Sequence, residues 1–236
     1  MAINDPTEIT NLVQWHDASD AASITHSGGD VTVLAAQTGY GNDLDAVTGT
    51  PRTGDSTLNS LNVIVFDGSE QLKGNPIGGA TSAVFTAFCV AKRNGSTGGN
   101  QFYFSAQGAD SSGIVAVEGS NIGVNSTNIV ETSVATDTAA HYFIYVNNTT
   151  SSRLWIDGVE YTLTGDPGSN GYASDGVWGA NAYDGAMLSG YVAETGVYSR
   201  VLNGTEIADL NAYLAEKWFG IGGSTGGSKL LLLGVG

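Results

Sequence analysis

Short apolar runs, each closed by Gly, Asn or Asp, recur along the whole chain and constrain its fold more than any other feature. The run 62–66 (NVIVF), for example, ends at the turn dipeptide Asp67-Gly68. Glycine accounts for 34 of the 236 residues, which disfavours helices and supplies the turns that short strands need. Short strands separated by turn residues are typical of a β-sandwich or a β-barrel. The pattern therefore predicts one all-β domain.

The sharpest local signal is a hairpin in the segment 153–163 (RLWIDGVEYTL). Asp157-Gly158 at its centre suits a tight type I′ turn, because both central residues of that turn need a positive φ angle. On either side of the turn, apolar residues alternate as the register of a two-residue hairpin demands. These residues are Leu154, Ile156, Val159, Tyr161 and Leu163.

A central strand is predicted over residues 84–92 (VFTAFCVAK), because this run is too uniformly apolar for a strand with one exposed face. Its Cys89 is the only cysteine of the chain, so no internal disulfide can form and we expect a buried thiol. The other runs that predict strands are 101–106, 113–118, 128–134 and 140–146.

One helix is predicted near the C-terminus. Asn203 and Glu206 match an N-cap residue and its reciprocal partner in a capping box, and Gly220 marks the end of the helix. The apolar stripe between these ends consists of Ile207, Leu210, Leu214 and Trp218. A ligand platform is one role that suits Trp218, but its place in an apolar stripe favours the core.

The charge balance excludes several classes of partner. The chain has 23 acidic and 8 basic residues and a formal net charge of −15, which repels nucleic-acid phosphates. The sequence shows neither a signal peptide nor an apolar run of the roughly 20 residues that a membrane helix needs. We therefore expect a protein that binds neither nucleic acid nor membrane and carries most of its carboxylates on a solvated surface. The single cysteine fits assembly in a bacterial cytoplasm, and secretion by a signal-independent route stays open.

The C-terminal end differs in composition from the rest of the chain. Residues 222–228 (GGSTGGS) have the composition of a flexible linker, and residues 229–236 (KLLLLGVG) form a short apolar tail. We therefore divide the chain into a domain, residues 1–220, and a linker with its tail, residues 221–236. An exposed apolar tail favours docking, either onto another molecule or back onto its own domain. The residues predicted to dock are Lys229, Leu230, Leu231, Leu232, Leu233 and Val235.

A series of short motifs runs in a fixed order over about residues 10–220. The motifs are 12–20 (LVQWHDASD), 37–43 (QTGYGND), 65–68 (VFDG), 155–158 (WIDG), 188–194 (LSGYVAE), 198–202 (YSRVL) and the predicted helix with its Lys-Trp end. Each motif is weak alone, but the ordered set resembles the concanavalin-A-like, laminin-G-like jelly-roll domains of bacteriophage virion and bacterial surface proteins. Residues 37–43 have drifted from the Trp-Asp-x-Ser-Gly-Asn-Gly pattern of those domains.

The resemblance implies an antiparallel jelly-roll sandwich of two sheets with one short C-terminal helix. It says little about function, because this fold carries lectins, adhesins, hydrolases and structural domains. With the sequence context, it implies a virion surface protein, either a head decoration or a tail or fibre accessory, assembled in the host cytoplasm. Its partners are then capsid or tail proteins or copies of itself, with host surface glycans as further ligands. The alternatives are a carbohydrate-binding module and, with less support, a glycoside hydrolase.

The residues themselves offer no catalytic constellation. Jelly-roll glycosidases of the retaining type need two carboxylates about 5 Å apart on one strand, and no glutamate here has a second acid at that spacing on a predicted strand. His16 and Asp17 are adjacent, so on a strand their side chains point to opposite faces. The sequence contains no Cys/His cluster for a metal and no Gly-x-Ser-x-Gly elbow. We therefore expect a non-catalytic protein that requires no cofactor.

Two candidate binding sites fall in the loop-rich stretch before the last strands. Calcium is the one ion that the sequence leaves open, because Asp and Asn oxygens in loops suit it, although both are also common turn residues. Its predicted ligands are Asp166, Asn170, Asp175, Asn181 and Asp184. An aromatic ring beside Asp or Asn is the minimum for binding a sugar, and the candidates are Tyr172, Trp178 and Tyr183. For Trp178, packing between the sheets is the favoured alternative.

Overall fold

The computed structural model describes residues 3–74, 84–95, 98–106, 113–117, 119–169, 176–181 and 186–222. Within these residues the chain forms 17 strands, two 3-10 turns (Pro6–Glu8 and Ala21–Ser23) and one helix, α1 (Gly204–Phe219). The strands are β1 (Leu12–Asp17), β2 (Ile24–Ser27), β3 (Asp30–Leu34), β4 (Leu44–Thr48), β5 (Arg52–Leu58), β6 (Leu61–Asp67), β7 (Gln71–Gly74), β8 (Phe85–Arg93), β9 (Gln101–Ala106), β10 (Gly113–Ala116), β11 (Asn121–Asn125), β12 (Ile129–Ala135), β13 (Ala140–Asn147), β14 (Arg153–Ile156), β15 (Val159–Tyr161), β16 (Gly176–Trp178) and β17 (Ser189–Tyr198).

The strands pair in two antiparallel series. The first runs β15–β14–β13–β8–β17, and the long strand β17 then pairs with β6 near its start and with β1 near its end. The second runs β4–β7–β16–β9–β10–β11–β12. Strand β3 pairs with both β4 and β5, and β5 pairs with β6, so hydrogen bonds join both series. The predicted antiparallel all-β fold with one helix is confirmed, and its jelly-roll connectivity stays a prediction.

The main hydrophobic core draws its residues from both series of strands. Cys89 and Phe143 come from the first series, and Leu72 and Phe104 come from the second. All four side chains are fully buried in one cluster. Because hydrophobic burial is the dominant favourable term in folding, this shared cluster holds the two series of strands together. The buried, unpaired thiol of Cys89 confirms the expectation from the sequence.

A second core lies between the first series of strands and helix α1. Alternate residues of β8 enter different clusters: Ala87 and Cys89 join the main core, whereas Phe88 and Val90 join the helix side. β8 pairs with β13 on one edge and with β17 on the other. The prediction of a central strand covered on both faces is therefore confirmed.

Helix α1 begins and ends where the sequence predicts. The Asn203 side chain accepts hydrogen bonds from the N–H groups of Thr205 and Glu206, and the Glu206 carboxylate accepts one from the Asn203 N–H, which completes the capping box. Gly220 ends the helix in the left-handed region at φ 65°, where a glycine has no steric penalty. Trp218 is fully buried in the second core, as its place in the apolar stripe predicts.

The Asp157-Gly158 hairpin also forms as predicted. Asp157 and Gly158 have φ angles of 50° and 81°, and Ile156 pairs directly with Val159. The apolar alternation is less uniform than the sequence indicates, because Ile156 is buried while Val159 is 53% exposed. Among the described strands β15 is the last of its series, and it pairs only with β14 there, which leaves Val159 open on that side.

The predicted division between domain and tail, after residue 220, stays a prediction, since residues 223–236 of the linker and tail lie outside the described part of the chain. The docking residues Lys229, Leu230, Leu231, Leu232, Leu233 and Val235 are among them. Of the helices that can be described, none is long and apolar enough to cross a membrane.

Candidate functional site

The structure places Trp178 in the protein interior and not on a binding surface. It lies in β16, is fully buried in the main core, and donates its indole N–H to Thr195 Oγ1 at 2.8 Å. Its predicted role as a sugar-stacking platform is therefore wrong, because a ring that ligand cannot reach cannot stack on a sugar. The other two aromatic candidates, Tyr172 and Tyr183, lie outside the described residues.

The predicted calcium ligands are only partly described. Asp166 is exposed and accepts a hydrogen bond from the Gly168 N–H at 2.8 Å, and Asn181 is half-buried. Asn170, Asp175 and Asp184 lie outside the described residues. Within the seven described segments, no group of three or more His, Cys, Asp or Glu residues could hold a metal ion. Calcium binding therefore stays a prediction of the sequence.

A cavity of about 390 Å³ opens between helix α1, strand β1 and the N-terminal segment. We call it the α1 cleft. It is lined by Ile3, Asn4, Asp5, Trp15, Asp17, Tyr213, Glu216 and Lys217.

Two walls of the α1 cleft consist of residues that share one face of a strand and one face of a helix. Trp15 and Asp17 are two residues apart on β1 and so share a face. Tyr213, Glu216 and Lys217 are three and four residues apart on α1 and so share a helix face.

The N-terminal wall is held in place by its own hydrogen bonds. Asp5 Oδ1 caps the first 3-10 turn by accepting the Thr7 N–H at 2.8 Å. The Asn4 N–H and side-chain amide both donate to Glu8 Oε1, at 2.8 and 2.7 Å. The carbonyl of Pro6 accepts the Tyr198 hydroxyl of β17 at 2.9 Å. This last bond ties the segment to the sheet and so fixes the position of the cleft wall.

One buried carboxylate, Glu194 of β17, organises the floor of the α1 cleft. Its Oε1 accepts the Trp15 indole N–H at 2.7 Å and the Tyr213 hydroxyl at 2.8 Å. Its Oε2 accepts the Lys217 ammonium at 2.9 Å and also the Trp218 indole N–H. Glu194 is fully buried, so the polar ends of Trp15 and Tyr213 point inward. The parts of these two rings that face the cleft are therefore ring carbon.

Lys217 neutralises two carboxylates at once. In the pairing of β1 with β17, Asp17 lies directly opposite Glu194, an arrangement that is destabilising for like charges. The Lys217 ammonium donates to Asp17 Oδ2, to Glu194 Oε2 and to the Tyr213 hydroxyl. Asp17 Oδ1 meanwhile accepts the N–H and hydroxyl of Ser19, at 2.8 and 2.6 Å.

Burial and neighbouring charges shift the pKa values of Glu194 and Lys217 in opposite directions. Burial raises the pKa of Glu194, and the Lys217 ammonium opposes that shift. Burial alone lowers the pKa of Lys217, but the Glu194 and Asp17 carboxylates outweigh it and raise the pKa above its ordinary value. The lysine is thus held in its charged form by the two acids that it neutralises.

A smaller cavity of about 250 Å³ lies on the other side of α1, against the β14–β15 hairpin. We call it the hairpin cleft. The Arg153 guanidinium lies 5.5 Å from the centre of the Trp155 ring, and its Nη1 is 3.9 Å from Glu160 Oε1. Arg153 and Glu160 are each about half exposed, so this ion pair contributes little.

His16 is not available for chemistry. It is fully buried, its Nε2 lies 3.0 Å from the Asn42 carbonyl, and its ring contacts the Trp178 edge with centroids 6.2 Å apart. Burial lowers the pKa of His16 to about 4, so the ring is neutral. As the sequence predicts, His16 and its neighbour Asp17 point to opposite faces of β1, one toward the main core and one toward α1.

His141 has the opposite environment. Its Nδ1 lies 2.6 Å from Asp157 Oδ2 and its Nε2 lies 2.9 Å from Asp137 Oδ1. Burial alone lowers the pKa of His141, but the hydrogen bonds to Asp157 and Asp137 outweigh it and raise the pKa to about 9. The ring is an imidazolium that joins the start of β13 to the hairpin turn.

We expect this pair of contacts to make stability depend on pH. A histidine whose pKa is raised by folding stabilises the protein fully below its unfolded pKa, and the contribution is lost as pH rises through the folded value. The free energy of unfolding is therefore expected to fall between about pH 6.5 and about pH 9, by at most about 1.4 kcal/mol per pH unit. Urea unfolding measured across this range checks the slope.

Two histidine variants isolate the effect. His141→Gln removes the titrating group and is expected to flatten the slope. His26→Gln is the matched control, because His26 is exposed and its ring accepts the backbone N–H of Gly29, so the wild-type slope is expected to persist. An unchanged slope in His141→Gln contradicts the assignment.

The residues of the α1 cleft were not identified from the sequence as a site. Glu194 and Lys217 carry one signal that points to them, since each is a charged residue within an apolar segment. A buried charge needs a partner of opposite charge, so an acid in a core strand and a base in a core helix face suggest a pair. The remaining cleft residues, such as Asn4 and Glu216, resemble ordinary surface residues in the sequence.

No protein-family model and no curated protein matches the sequence. The structure is similar to that of domain 4 of AbnA, a GH43 extracellular arabinanase from Geobacillus stearothermophilus, in complex with arabinotriose. The TM-score is 0.62 at 17% identity, and the match covers 85% of this chain and 98% of that domain.

Two further solved structures are similar over most of this chain. The Trypanosoma rangeli sialidase in complex with sialic acid matches with a TM-score of 0.60 at 14% identity, over 88% of this chain but only 33% of the sialidase. The binding domain of Paraclostridial Mosquitocidal Protein 1 matches with a TM-score of 0.58 at 11% identity, over 86% of this chain and 52% of that one. At these identities the likeness shows the fold alone. These three structures give no link to a virion.

Proposed function

We propose that this chain is a non-catalytic carbohydrate-binding domain on a jelly-roll framework, and that the α1 cleft holds the sugar. The observation that carries the proposal is the meeting of two aromatic rings with several carboxylates around one open cavity. Trp15 and Tyr213, which are 8% and 7% exposed, supply a narrow strip of ring carbon, and Asp5 and Glu216 supply hydrogen-bond acceptors. A sugar ring presents both an apolar face and hydroxyl groups, so this combination of surfaces suits it.

The size and order of the cleft support the same proposal. A volume of about 390 Å³ falls within the roughly 300–1,000 Å³ of small-molecule sites. Glu194 holds Trp15, Tyr213 and Lys217 by direct hydrogen bonds. Three of the cleft residues are thus positioned before any ligand arrives, which lowers the entropic cost of binding.

The solved neighbours support a sugar as the ligand. The arabinanase domain, which this chain matches over nearly its whole length, was solved in complex with arabinotriose, and the sialidase was solved in complex with sialic acid. Because the present chain spans about a third of the sialidase, we carry over no activity from that enzyme. What we take from the arabinanase domain is that a domain of this fold was solved with an oligosaccharide.

We propose binding and not hydrolysis because the inner carboxylates are occupied. A general acid must reach the glycosidic oxygen, but Glu194 is fully buried and accepts four hydrogen bonds. Asp17 is nearly buried and its two oxygens accept bonds from Ser19 and Lys217. The virion-surface role and tail docking implied by the sequence stay predictions, because the tail residues lie outside the described part of the chain.

The test is a titration of the full chain with oligosaccharides followed by calorimetry. We expect binding of a neutral trisaccharide, and we expect Glu216→Gln to weaken it about tenfold, because one hydrogen bond to a charged group is worth about 1.5–3 kcal/mol. Glu216 is exposed on α1, so this variant is expected to fold normally, which circular dichroism checks.

The control for this titration is Glu160→Gln in the hairpin cleft, where a half-exposed glutamate is changed in the same way. We expect its affinity to equal that of the wild type. Loss of binding in Glu160→Gln with none in Glu216→Gln would place the sugar in the hairpin cleft and contradict the proposed site. Cleavage of the trisaccharide during the titration would contradict the non-catalytic part of the proposal.

A further inference from the structure

The α1 cleft presents hydrogen-bond acceptors and few donors. A lysine ammonium has three N–H donors, and Lys217 directs all three to Asp17, Glu194 and Tyr213. The Lys217 ammonium therefore has no N–H left to donate to a ligand.

Most of the other side-chain donors that line the cleft are also bonded within the protein. The Trp15 indole N–H and the Tyr213 hydroxyl both donate to Glu194. One N–H of the Asn4 side-chain amide donates to Glu8 Oε1 at 2.7 Å, which leaves the second N–H of that amide as a donor. Among the described residues that line the cleft, a ligand therefore meets the carboxylates of Asp5 and Glu216 and no lysine or arginine other than Lys217.

The charge of the cleft follows from the same residues. Asp5, Asp17 and Glu216 line it, Glu194 lies beneath it, and Lys217 is the only basic residue among the described residues that line it. Carboxylates thus outnumber ammonium groups, within a chain whose formal net charge is −15. A ligand carboxylate or sulfate brought into the cleft is repelled and meets few side-chain donors among the described residues, and like-charge contacts of this kind are strongly unfavourable.

We propose that the α1 cleft selects sugars that carry a protonated amine and rejects anionic sugars. This inference rests on the proposed function and names its ligand class. An ammonium group on the sugar supplies three donors to a surface made of acceptors and gains charge attraction from Asp5 and Glu216. Neutral sugars donate through hydroxyls only and bind less tightly. The aromatic carbon of Trp15 and Tyr213 contacts the sugar ring in either case.

The experiment compares three trisaccharides by calorimetry with the full chain: the glucosamine trimer, its N-acetylated form, and a galacturonic acid trimer. They represent a cationic, a neutral and an anionic ligand. The pH is kept low enough to protonate the amine. We expect the glucosamine trimer to bind at least tenfold more tightly than the N-acetylated trimer, and the galacturonic acid trimer to give no binding. Added salt is expected to weaken only the cationic ligand.

Two variants separate a site from general charge attraction. Glu216→Gln removes a cleft carboxylate and is expected to reduce the preference for the amine at least fivefold. Glu160→Gln removes the same charge from the hairpin cleft and is expected to leave the preference unchanged. Equal losses in both variants would mean that the net charge attracts the amine, which overturns the inference.

The possible failures of the two proposals differ. Binding of the galacturonic acid trimer as tight as that of the glucosamine trimer overturns the charge selection but leaves sugar binding intact. Equal affinity for the glucosamine trimer and its N-acetylated form also overturns the charge selection and leaves sugar binding intact. Absence of binding for all three trisaccharides overturns the proposed function itself.

Discussion

Replacing Lys217 by Met is expected to lower the free energy of unfolding by about 3–5 kcal/mol. The change removes the ammonium that lies between Glu194 and Asp17 and leaves both carboxylates buried without a cation. Methionine keeps the length and apolar carbon of the lysine stem, so the loss measures charge more than packing. Urea unfolding at neutral pH, followed by tryptophan fluorescence, checks the value.

The size of the effect follows from burial. An exposed ion pair contributes about 0–1 kcal/mol, because water screens it and two side chains lose their freedom. Glu194 is fully buried and Lys217 is 18% exposed, so water cannot replace the missing ammonium. Asp17 lies opposite Glu194 in the β1–β17 pairing, and the two unneutralised charges then repel each other across the strands.

Two further variants decide whether this explanation is correct. Lys92→Met is the control, because Lys92 is a half-buried lysine whose ammonium lies 5.9 Å from the centre of the Tyr191 ring, and a loss of at most about 1 kcal/mol is expected. The double variant Glu194→Gln with Lys217→Met removes one of the stranded charges and is expected to recover part of the loss. A loss below about 1 kcal/mol for Lys217→Met contradicts a buried network.

Local signals explain which parts of the fold the sequence predicts. β8 has a run of apolar residues, the Asp157-Gly158 turn has residues that accept a positive φ, and α1 has both caps. Each of these signals lies within a few neighbouring residues. The structure confirms all three because no distant contact opposes them.

The polar strands lack such signals. β5 reads RTGDSTL, and its residues are exposed or half-buried. It forms because β6 provides the pairing partner. Arg52 lies opposite Val65 and Thr53 lies opposite Ile64 in this antiparallel pair. A strand that depends on its neighbour and not on its own apolar pattern is not visible in a local reading of the sequence.

The α1 cleft was missed for a related reason. Trp15, Glu194 and Lys217 lie in three of the motifs that suggest the fold, but Trp15 is 179 residues from Glu194 along the chain and lies still farther from Lys217. Their contact depends on the register of β1 against β17 and on the docking of α1. A shift of one residue in that register would turn Asp17 to the other face. Sequence motifs alone do not specify this register.

For Trp178 the sequence leaves two roles open, a sugar-binding ring and a residue packed between the sheets, and it favours the second. Gly, Asn and Asp surround it in the sequence and are equally typical of a loop on the surface. The three-residue strand β16 pairs with both β7 and β9. This pairing carries Trp178 into the main core, where its indole meets Thr195.

Because Trp178 is fully buried, its removal is expected to affect stability and not sugar binding. Trp178→Ala is expected to lower the free energy of unfolding by about 3–5 kcal/mol, because it removes a large buried ring and leaves a cavity. Trisaccharide affinity per folded molecule is expected to stay at the wild-type value, since the ring does not reach the α1 cleft lining. Urea unfolding and calorimetry on the same preparation measure both quantities.

A companion variant tests the single polar contact of Trp178. Thr195→Val keeps the shape of the side chain but removes the Oγ1 that accepts the indole N–H at 2.8 Å. The buried donor is then unsatisfied, and a loss of about 1–3 kcal/mol is expected. If Trp178 instead acted on sugar, Trp178→Ala would abolish binding with little change in stability, and Thr195→Val would leave stability as it is. Those two results would contradict the assignment of Trp178 to the core. A ring that is fully buried in the main core cannot be removed without a large loss of stability.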